Sequence, residues 1–217
     1  MKNIIFIAPP GAGKGTQSKL VSSEYNIPHI STGDLLRDEV SKGTDLGKDL
    51  KEKMDKGMLI SDDIMIELIR NKINSKDCAN GYILDGYPRN IEQAKSYDSL
   101  LKELNRDLGV VVFMDIDRNL ALERTVSRVV CPSCGSSYNL MAVKPKVDGV
   151  CDRCGNELKT RSDDNEETFV NRFDTYLEKA GPLLKYYEDK GVLKKINVDK
   201  DKTPEDIFEE IKEIIND

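Results

Sequence analysis

Residues 4–7 read Ile-Ile-Phe-Ile, four apolar side chains with no polar one between them. A strand with one wet face alternates every second residue. The unbroken run predicts a strand over 2–8 covered on both faces, as in a parallel sheet. Further strands are predicted at 82–85, 109–116 and 192–198, with a shorter apolar stretch at 27–30. Helical periodicity is read at 14–25, 33–41, 46–56, 62–74, 90–105, 118–129, 164–180 and 203–215, and Pro182 is expected to break or kink the helix before it. Strands alternating with helices predict an α/β fold with a doubly wound parallel sheet of about five strands. Segments 31–60 and 128–161 read as insertions into a core made of 1–30, 61–127 and 162–217. In such sheets ligands bind beyond the carboxyl ends of the strands, where the most informative residues fall.

Pro10-Gly11-Ala12-Gly13-Lys14-Gly15-Thr16 follows the first strand and opens the first helix. Glycines let backbone N–H groups curl around an anion, the helix N-terminus adds positive partial charge, and Lys14 supplies a full one. This is a phosphate-binding loop. It departs from the general pattern in two places. Ala8 stands where the first glycine would be, and Gly15 follows the lysine, so the hydroxyl comes one later at Thr16.

Ser31-Thr32-Gly33-Asp34-Leu35-Leu36-Arg37 follows the short apolar stretch, and Asp85-Gly86-Tyr87-Pro88-Arg89 follows the second clear strand. Arg124 and Arg128 are four apart in a predicted helix and are expected to share a face. Arg161 precedes Asp163 and Asp164, and Arg172 lies on the next helix. Asp163 is a candidate helix cap with Glu166 as its capping-box partner. Any one of these arginines alone would be an ordinary surface residue. As a set beside a phosphate loop they suit phosphoryl transfer, in which catalysis is mostly positioning and charge stabilisation. Asp85, at a strand end near Lys14, has the chemistry to position Mg²⁺ through its water shell.

Cys131-Pro-Ser-Cys134 and Cys151-Asp-Arg-Cys154 lie 16 residues apart, the spacing of a tetrahedral zinc site, for which iron is a substitute. Four protein ligands leave no open coordination position, so the metal is structural and stiffens a segment too short to build a core of its own. Cys78 reads as a small buried apolar residue, and the single histidine, His29, as a packed residue beside the short strand.

Composition changes this picture in one respect. A formal charge of −6 over 217 residues argues against broad nucleic-acid binding, which needs a basic field. It leaves room for small anions held by local arginines. The apolar run at the start is too short for a signal peptide or a membrane span and meets a Pro-Pro-Gly turn, so the expected location is cytoplasmic.

Three motifs together resemble the adenylate kinase family: Ser-Thr-Gly-Asp-Leu-Leu-Arg at 31–37, Leu-Asp-Gly-Tyr-Pro-Arg at 84–89, and Arg-x-Asp-Asp-Asn-Glu-Glu-Thr at 161–168. The resemblance covers essentially the whole chain. It implies reversible transfer of a phosphoryl group from Mg·ATP to AMP, giving ADP, by a cytoplasmic monomer. It also implies a rigid core, an AMP-binding segment at 31–60 and a lid at 128–161. Carried over by position, it assigns Gly11, Ala12, Gly13, Lys14, Gly15 and Thr16 to the ATP phosphates. Arg128, Ser137, Tyr138, Arg124 and the backbone near Lys200 would meet the rest of ATP. AMP would be held by Thr32, Arg37, Met58, Leu59, Ile60, Gly86, Tyr87, Pro88, Arg89 and Gln93, and Arg161 and Arg172 would reach the AMP side and the moving phosphoryl group. UMP/CMP kinases resemble this chain too, but have Ala where Thr32 stands and Asn near Gln93. Thr32 and Gln93 therefore favour AMP. A GTP-dependent monophosphate kinase is a further alternative, and a zinc-ribbon nucleic-acid-binding ATPase is one of a different class. Tyr138 is the single aromatic from Cys131 to Lys159, too few for a stacking platform.

Overall fold

Five strands form one parallel sheet: β1 (Ile4–Ile7), β2 (His29–Ser31), β3 (Ile83–Asp85), β4 (Val110–Ile116) and a last strand, Leu193–Val198, in the spatial order β2, β3, β1, β4, last. The structure is a computed structural model describing residues 3–55, 60–161 and 163–216, with Asp55 described for its backbone alone. The chain leaves β1, places β2 and β3 to one side of it and returns to place β4 on the other, so the switch point flanks β1. The parallel registers Phe6↔Asp85 and Ser31↔Asp85 bring the carboxyl ends of β1, β2 and β3 to one level.

Both faces of β1 are covered, as its unbroken apolar run requires. Ile4 and Phe6 pack into one buried cluster and Ile5 and Ile7 into the other. The first cluster is closed by helices α1 (Lys14–Tyr25) and, later in the chain, Arg118–Val126 and Pro204–Asn216. The second is closed by α4 (Asp62–Ile73) and α5 (Ile91–Glu103). Helices α2 (Thr32–Ser41) and α3 (Asp45–Asp55) pack on one another in the 31–60 insertion. The helix Arg118–Val126 is α6, and β5 (Arg128–Val130) pairs antiparallel with β6 (Ser137–Asn139). A 24-residue helix, α7 (Glu166–Asp189), precedes the last strand, β7 (Leu193–Val198), and α8 (Pro204–Asn216) ends the order. Among the described residues no helix is long and apolar enough to cross a membrane.

Three expectations are corrected. First, α7 runs on through Pro182 to Asp189 instead of breaking there. Proline removes one rung of the ladder, and the buried Ala180, Leu183 and Tyr187 on either side hold the helix on its path. Second, α6 ends at Val126, so Arg124 and Arg128 do not share a helix face; Arg128 opens β5. Asn139 stops the helix by donating to the Arg124 carbonyl at 3.0 Å and to Ser127 Oγ at 2.9 Å. Third, the cap of α7 is Asn165, whose side chain accepts from Thr168 N–H at 2.9 Å. Asp163 instead pairs with Arg172 at 2.6 Å.

Candidate active site

The loop after β1 turns into α1 at Lys14. Gly11 has φ +84, and a Cβ there would stand 2.3 Å from the carbonyl oxygen of Ala121, so glycine alone fits. Ala12 is buried and anchors the loop, whereas Gly13, Gly15 and Thr16 are exposed. The first turn of α1 carries no acidic residue and no side-chain cap. Its first N–H groups lack helical partners and present positive partial charge, which suits a phosphate.

Asp85 ends β3 directly opposite the loop. One carboxylate oxygen pairs with Lys14 Nζ and the other lies 3.0 Å from His29 Nε2. Burial by itself would raise the Asp85 pKa, but the Lys14 ammonium and the His29 hydrogen bond outweigh it and hold the group well below the usual carboxylate range. His29, expected as a packing residue, is therefore a neighbour of the site. A signal for this lies in the register: His29 pairs with Ile83, two residues before Asp85, so the two side chains project from adjacent strands on one face.

Gly86 follows with φ +85, and a Cβ on it would meet Thr32 Oγ1 at 2.7 Å. That close approach gathers a polar cluster. Arg89 Nε donates to the Gly86 carbonyl at 2.7 Å, and Arg89 Nη2 lies 3.4 Å from the buried Thr32 hydroxyl. Gln93 is buried with its amide fixed: Oε1 accepts from Arg89 N–H at 2.7 Å, and Nε2 donates to Asp62 at 2.6 Å. Asp62 is a residue that the sequence reading missed. Tyr87 and Pro88 are buried behind this loop and shape it, with the Tyr87 hydroxyl donating to the Gln93 carbonyl at 3.2 Å. Ile60 is half-buried, and Arg37 is exposed and paired with Asp34. Met58 and Leu59 lie outside the described residues.

The arginines converge. The Arg89 pKa is lowered by burial first and then by the charge of Arg172, and that of Arg161 by burial first and then by Arg128. Mutual repulsion between guanidinium groups is tolerable where an anion will neutralise it. Arg128 is held by Asp164, whose side chain is fully buried, through a two-pronged contact in which Arg128 Nε donates at 2.8 Å. Arg124 reaches the Asp199 carbonyl at 3.3 Å, beside a hollow of about 300 Å³ lined by Asp117, Asn119, Leu120 and Lys200.

The four cysteines also come together, with all four Sγ atoms within 4.8 Å of one another. Cys131 and Cys154 are 3.4 Å apart and Cys134 and Cys151 3.5 Å. A tetrahedral ion with metal–sulfur bonds of about 2.3 Å separates its ligands by about 3.8 Å, so the cluster fits a metal. Burial alone would raise the Cys151 thiol pKa, but the Tyr138 hydroxyl and the N–H groups of Cys154 and Arg153 together bring it below its ordinary value. Ser137 is exposed on the same strand as Tyr138. Lys19, on α1, donates to the carbonyl of Gly135 at 2.6 Å and so joins the cysteine segment to the helix that the phosphate loop opens.

A phosphate loop at the switch point of a parallel sheet, facing a carboxylate and a convergent set of arginines, defines a phosphotransferase of the nucleoside monophosphate kinase class. The family model described as adenylate kinase matches residues 6–192. The chain is 46% identical over 213 residues to the adenylate kinase of Archaeoglobus fulgidus, covering 98% of this chain and 97% of that protein. It is 43% identical over 212 residues to that of Caldanaerobacter subterraneus subsp. tengcongensis, covering 98% and 95%, and 46% identical over 206 residues to that of Clostridioides difficile, covering 94% and 95%. The chain belongs to the adenylate kinase family.

Proposed function

We propose that the chain interconverts ATP and AMP with two ADP, in the cytoplasm and as a monomer, with nucleotides and not nucleic acids as its partners. The observation that carries this reading is the gathering of Lys14, Arg89, Arg128, Arg161 and Arg172 around the carboxyl edge of the sheet. Two of these groups already feel a neighbour's charge, Arg89 that of Arg172 and Arg161 that of Arg128.

In this reading ATP lays its phosphates on Gly11–Thr16, with Arg124, Arg128, Ser137, Tyr138 and the backbone near Lys200 along the rest of it. AMP lies between the 31–60 segment and the core, against Thr32, Arg37, Ile60, Gly86–Arg89 and Gln93. The 128–161 segment acts as a lid. Its closure brings Arg128 and Arg161 onto the phosphates and removes water that would otherwise take the phosphoryl group. The AMP phosphate oxygen then attacks the γ-phosphorus in line, and Arg89, Arg161 and Arg172 stabilise charge on the moving group.

Asp85 and the Thr16 hydroxyl offer hard oxygen donors near Lys14 and would hold Mg²⁺, Asp85 through the ion's water shell. Bound there, Mg²⁺ neutralises charge on the β- and γ-phosphates. The thiolates of Cys131, Cys134, Cys151 and Cys154 would hold a structural Zn²⁺, because four soft ligands in a closed tetrahedron suit it and leave no catalytic position.

The test is ADP formation from Mg·ATP with AMP, CMP, UMP or GMP supplied separately. Rapid turnover with AMP alone is expected. Turnover with a pyrimidine monophosphate would retain the mechanism and reject the reading of Thr32 and Gln93. No transfer to any of the four would reject the function.

A further inference from the structure

The two cysteine knuckles are near copies of one another. In each, the N–H of the following glycine donates to the first cysteine's carbonyl, Gly135 to Cys131 at 2.9 Å and Gly155 to Cys151 at 2.8 Å. In each, the first cysteine's N–H reaches the carbonyl five residues on, Cys131 to Ser136 at 2.8 Å and Cys151 to Asn156 at 2.9 Å. In each, that same residue's side chain touches the second sulfur: Ser136 Oγ lies 3.2 Å from Cys134 Sγ, and Asn156 Nδ2 donates to Cys154 Sγ at 3.3 Å.

Tyr138 departs from this symmetry. Its hydroxyl oxygen lies 3.5 Å from Cys151 Sγ and accepts from the Asp152 N–H at 2.8 Å. An amide N–H can only donate, so the phenol oxygen is the acceptor there and its own hydrogen is free to point at the sulfur. The ring packs with Cys131, Cys151 and Leu158, the small buried cluster of this segment. Tyr138 sits on β6 opposite Val129 of β5, in the hairpin of the first knuckle, while Cys151 and Asp152 belong to the second. One hydroxyl therefore touches both halves of the site.

We propose that Tyr138 is a positioning residue for the cysteine cluster, which holds Cys151 in place and donates a hydrogen bond to its thiolate, and so sets how firmly the lid keeps its metal. The inference rests on the reading that the cluster binds zinc. Four thiolates around a divalent ion carry a net charge of −2, and every hydrogen bond to sulfur relieves some of it. Losing an outer partner of a metal ligand typically costs 10- to 100-fold in retention.

The experiment compares full-length wild type with Tyr138→Phe, which keeps the packed ring and removes the hydroxyl. Zinc release into excess chromogenic chelator is expected to be about tenfold faster in the variant. With cobalt(II) in place of zinc, the sulfur-to-metal charge-transfer band is expected to move to lower energy, because the thiolate loses a donor that stabilised its electrons. Release rates within twofold of each other, or an unmoved cobalt band, would overturn the proposal. Melting of the metal-free proteins is expected to coincide; a separation as large as that of the loaded forms would make the hydroxyl a structural tie alone and would also overturn it. A wild type that binds neither ion would remove the zinc reading itself, an outcome distinct from the others.

Discussion

Lys14 and Asp85, 71 positions apart in the chain, form an ion pair at the level where β1 and β3 end, and His29 holds the carboxylate's other oxygen. The lysine proposed to meet phosphate and the carboxylate proposed to meet Mg²⁺ thus neutralise each other. Replacing Lys14 by Met is expected to lower kcat/KM by about 1,000-fold, the loss of a charge that acts on the transferring group in a water-excluded site. Initial rates of ADP formation measure this, and near-normal turnover would reject the assignment of the loop.

The same variant has a pH signature. The pKa of Asp85 is depressed in the folded state, so the pair's stabilisation is complete above the unfolded carboxylate pKa of about 3.9 and fades as pH falls below it. Wild type should exceed Lys14→Met in urea stability at pH 7, because the variant leaves Asp85 buried with His29 alone. The gap should narrow progressively as pH falls from about 4 towards the depressed folded pKa of Asp85. A gap independent of pH would mean that the ion pair is not its cause.

Thr32 is the residue proposed to set the choice of AMP. Its hydroxyl is buried between the Gly86 carbonyl and Arg89 Nη2, each at 3.4 Å, long contacts that leave room for a ligand to compete. Thr32→Ala is expected to raise KM for AMP about tenfold, the worth of one hydrogen bond, with a smaller change in kcat. Selectivity against CMP and UMP should fall with it. Steady-state kinetics with all three monophosphates give the answer, and unchanged selectivity would shift the discrimination to Gln93.

The sequence revealed those parts of the site whose chemistry is local. Gly11–Thr16 and the two Cys-x-x-Cys pairs carry their geometry in a few consecutive residues, and apolar runs located the five strands of the parallel sheet to within a residue or two, whereas β5 and β6 went unread. Partners joined only by tertiary structure were not legible. His29 and Asp85 meet through strand register, Gln93 and Asp62 through the packing of two helices, and Arg128 and Asp164 through closure of an insertion. The error at Arg128 has a similar origin: helical periodicity continues past Val126, but Asn139 and the β5–β6 pairing take the chain away. Pro182 misled because a local rule met a helix buried on both sides of it.

Removing metal from the cysteine cluster is expected to separate the behaviour of the cysteine segment from that of the core. The small cluster of Cys131, Cys151 and Leu158 is the buried core of the cysteine segment, too little to fold unaided, whereas the two clusters flanking the sheet do not depend on it. Exhaustive chelation is therefore expected to make 130–160 protease-sensitive and abolish phosphoryl transfer, while most far-UV ellipticity remains. Adding zinc back should restore both. Full activity in verified metal-free protein would show that the lid needs no ion.

The two chain connections between the cysteine segment and the core are joined by Arg128 and Asp164. Arg128 leads into the cysteine segment and Asp164 follows it, and the Asp164 side chain is fully buried under the guanidinium group. Removing one partner of a buried pair leaves the other without compensation and typically costs about 3–5 kcal/mol. Asp164→Ala should show a loss of that order in denaturant unfolding. Asp164→Glu should recover only part of it, because a longer side chain cannot keep the two-pronged geometry in a filled space. The kinetic consequence differs from that at Lys14. Arg128 is proposed to leave Asp164 for the ATP phosphates when the lid closes, so an Arg128 without its resting partner is already free to bind them. Asp164→Ala is therefore expected to lower KM for ATP several-fold while weakening the fold, and KM for AMP should change little. A rise in KM for ATP would mean that Asp164 aims Arg128 at the nucleotide and does not hold it in reserve.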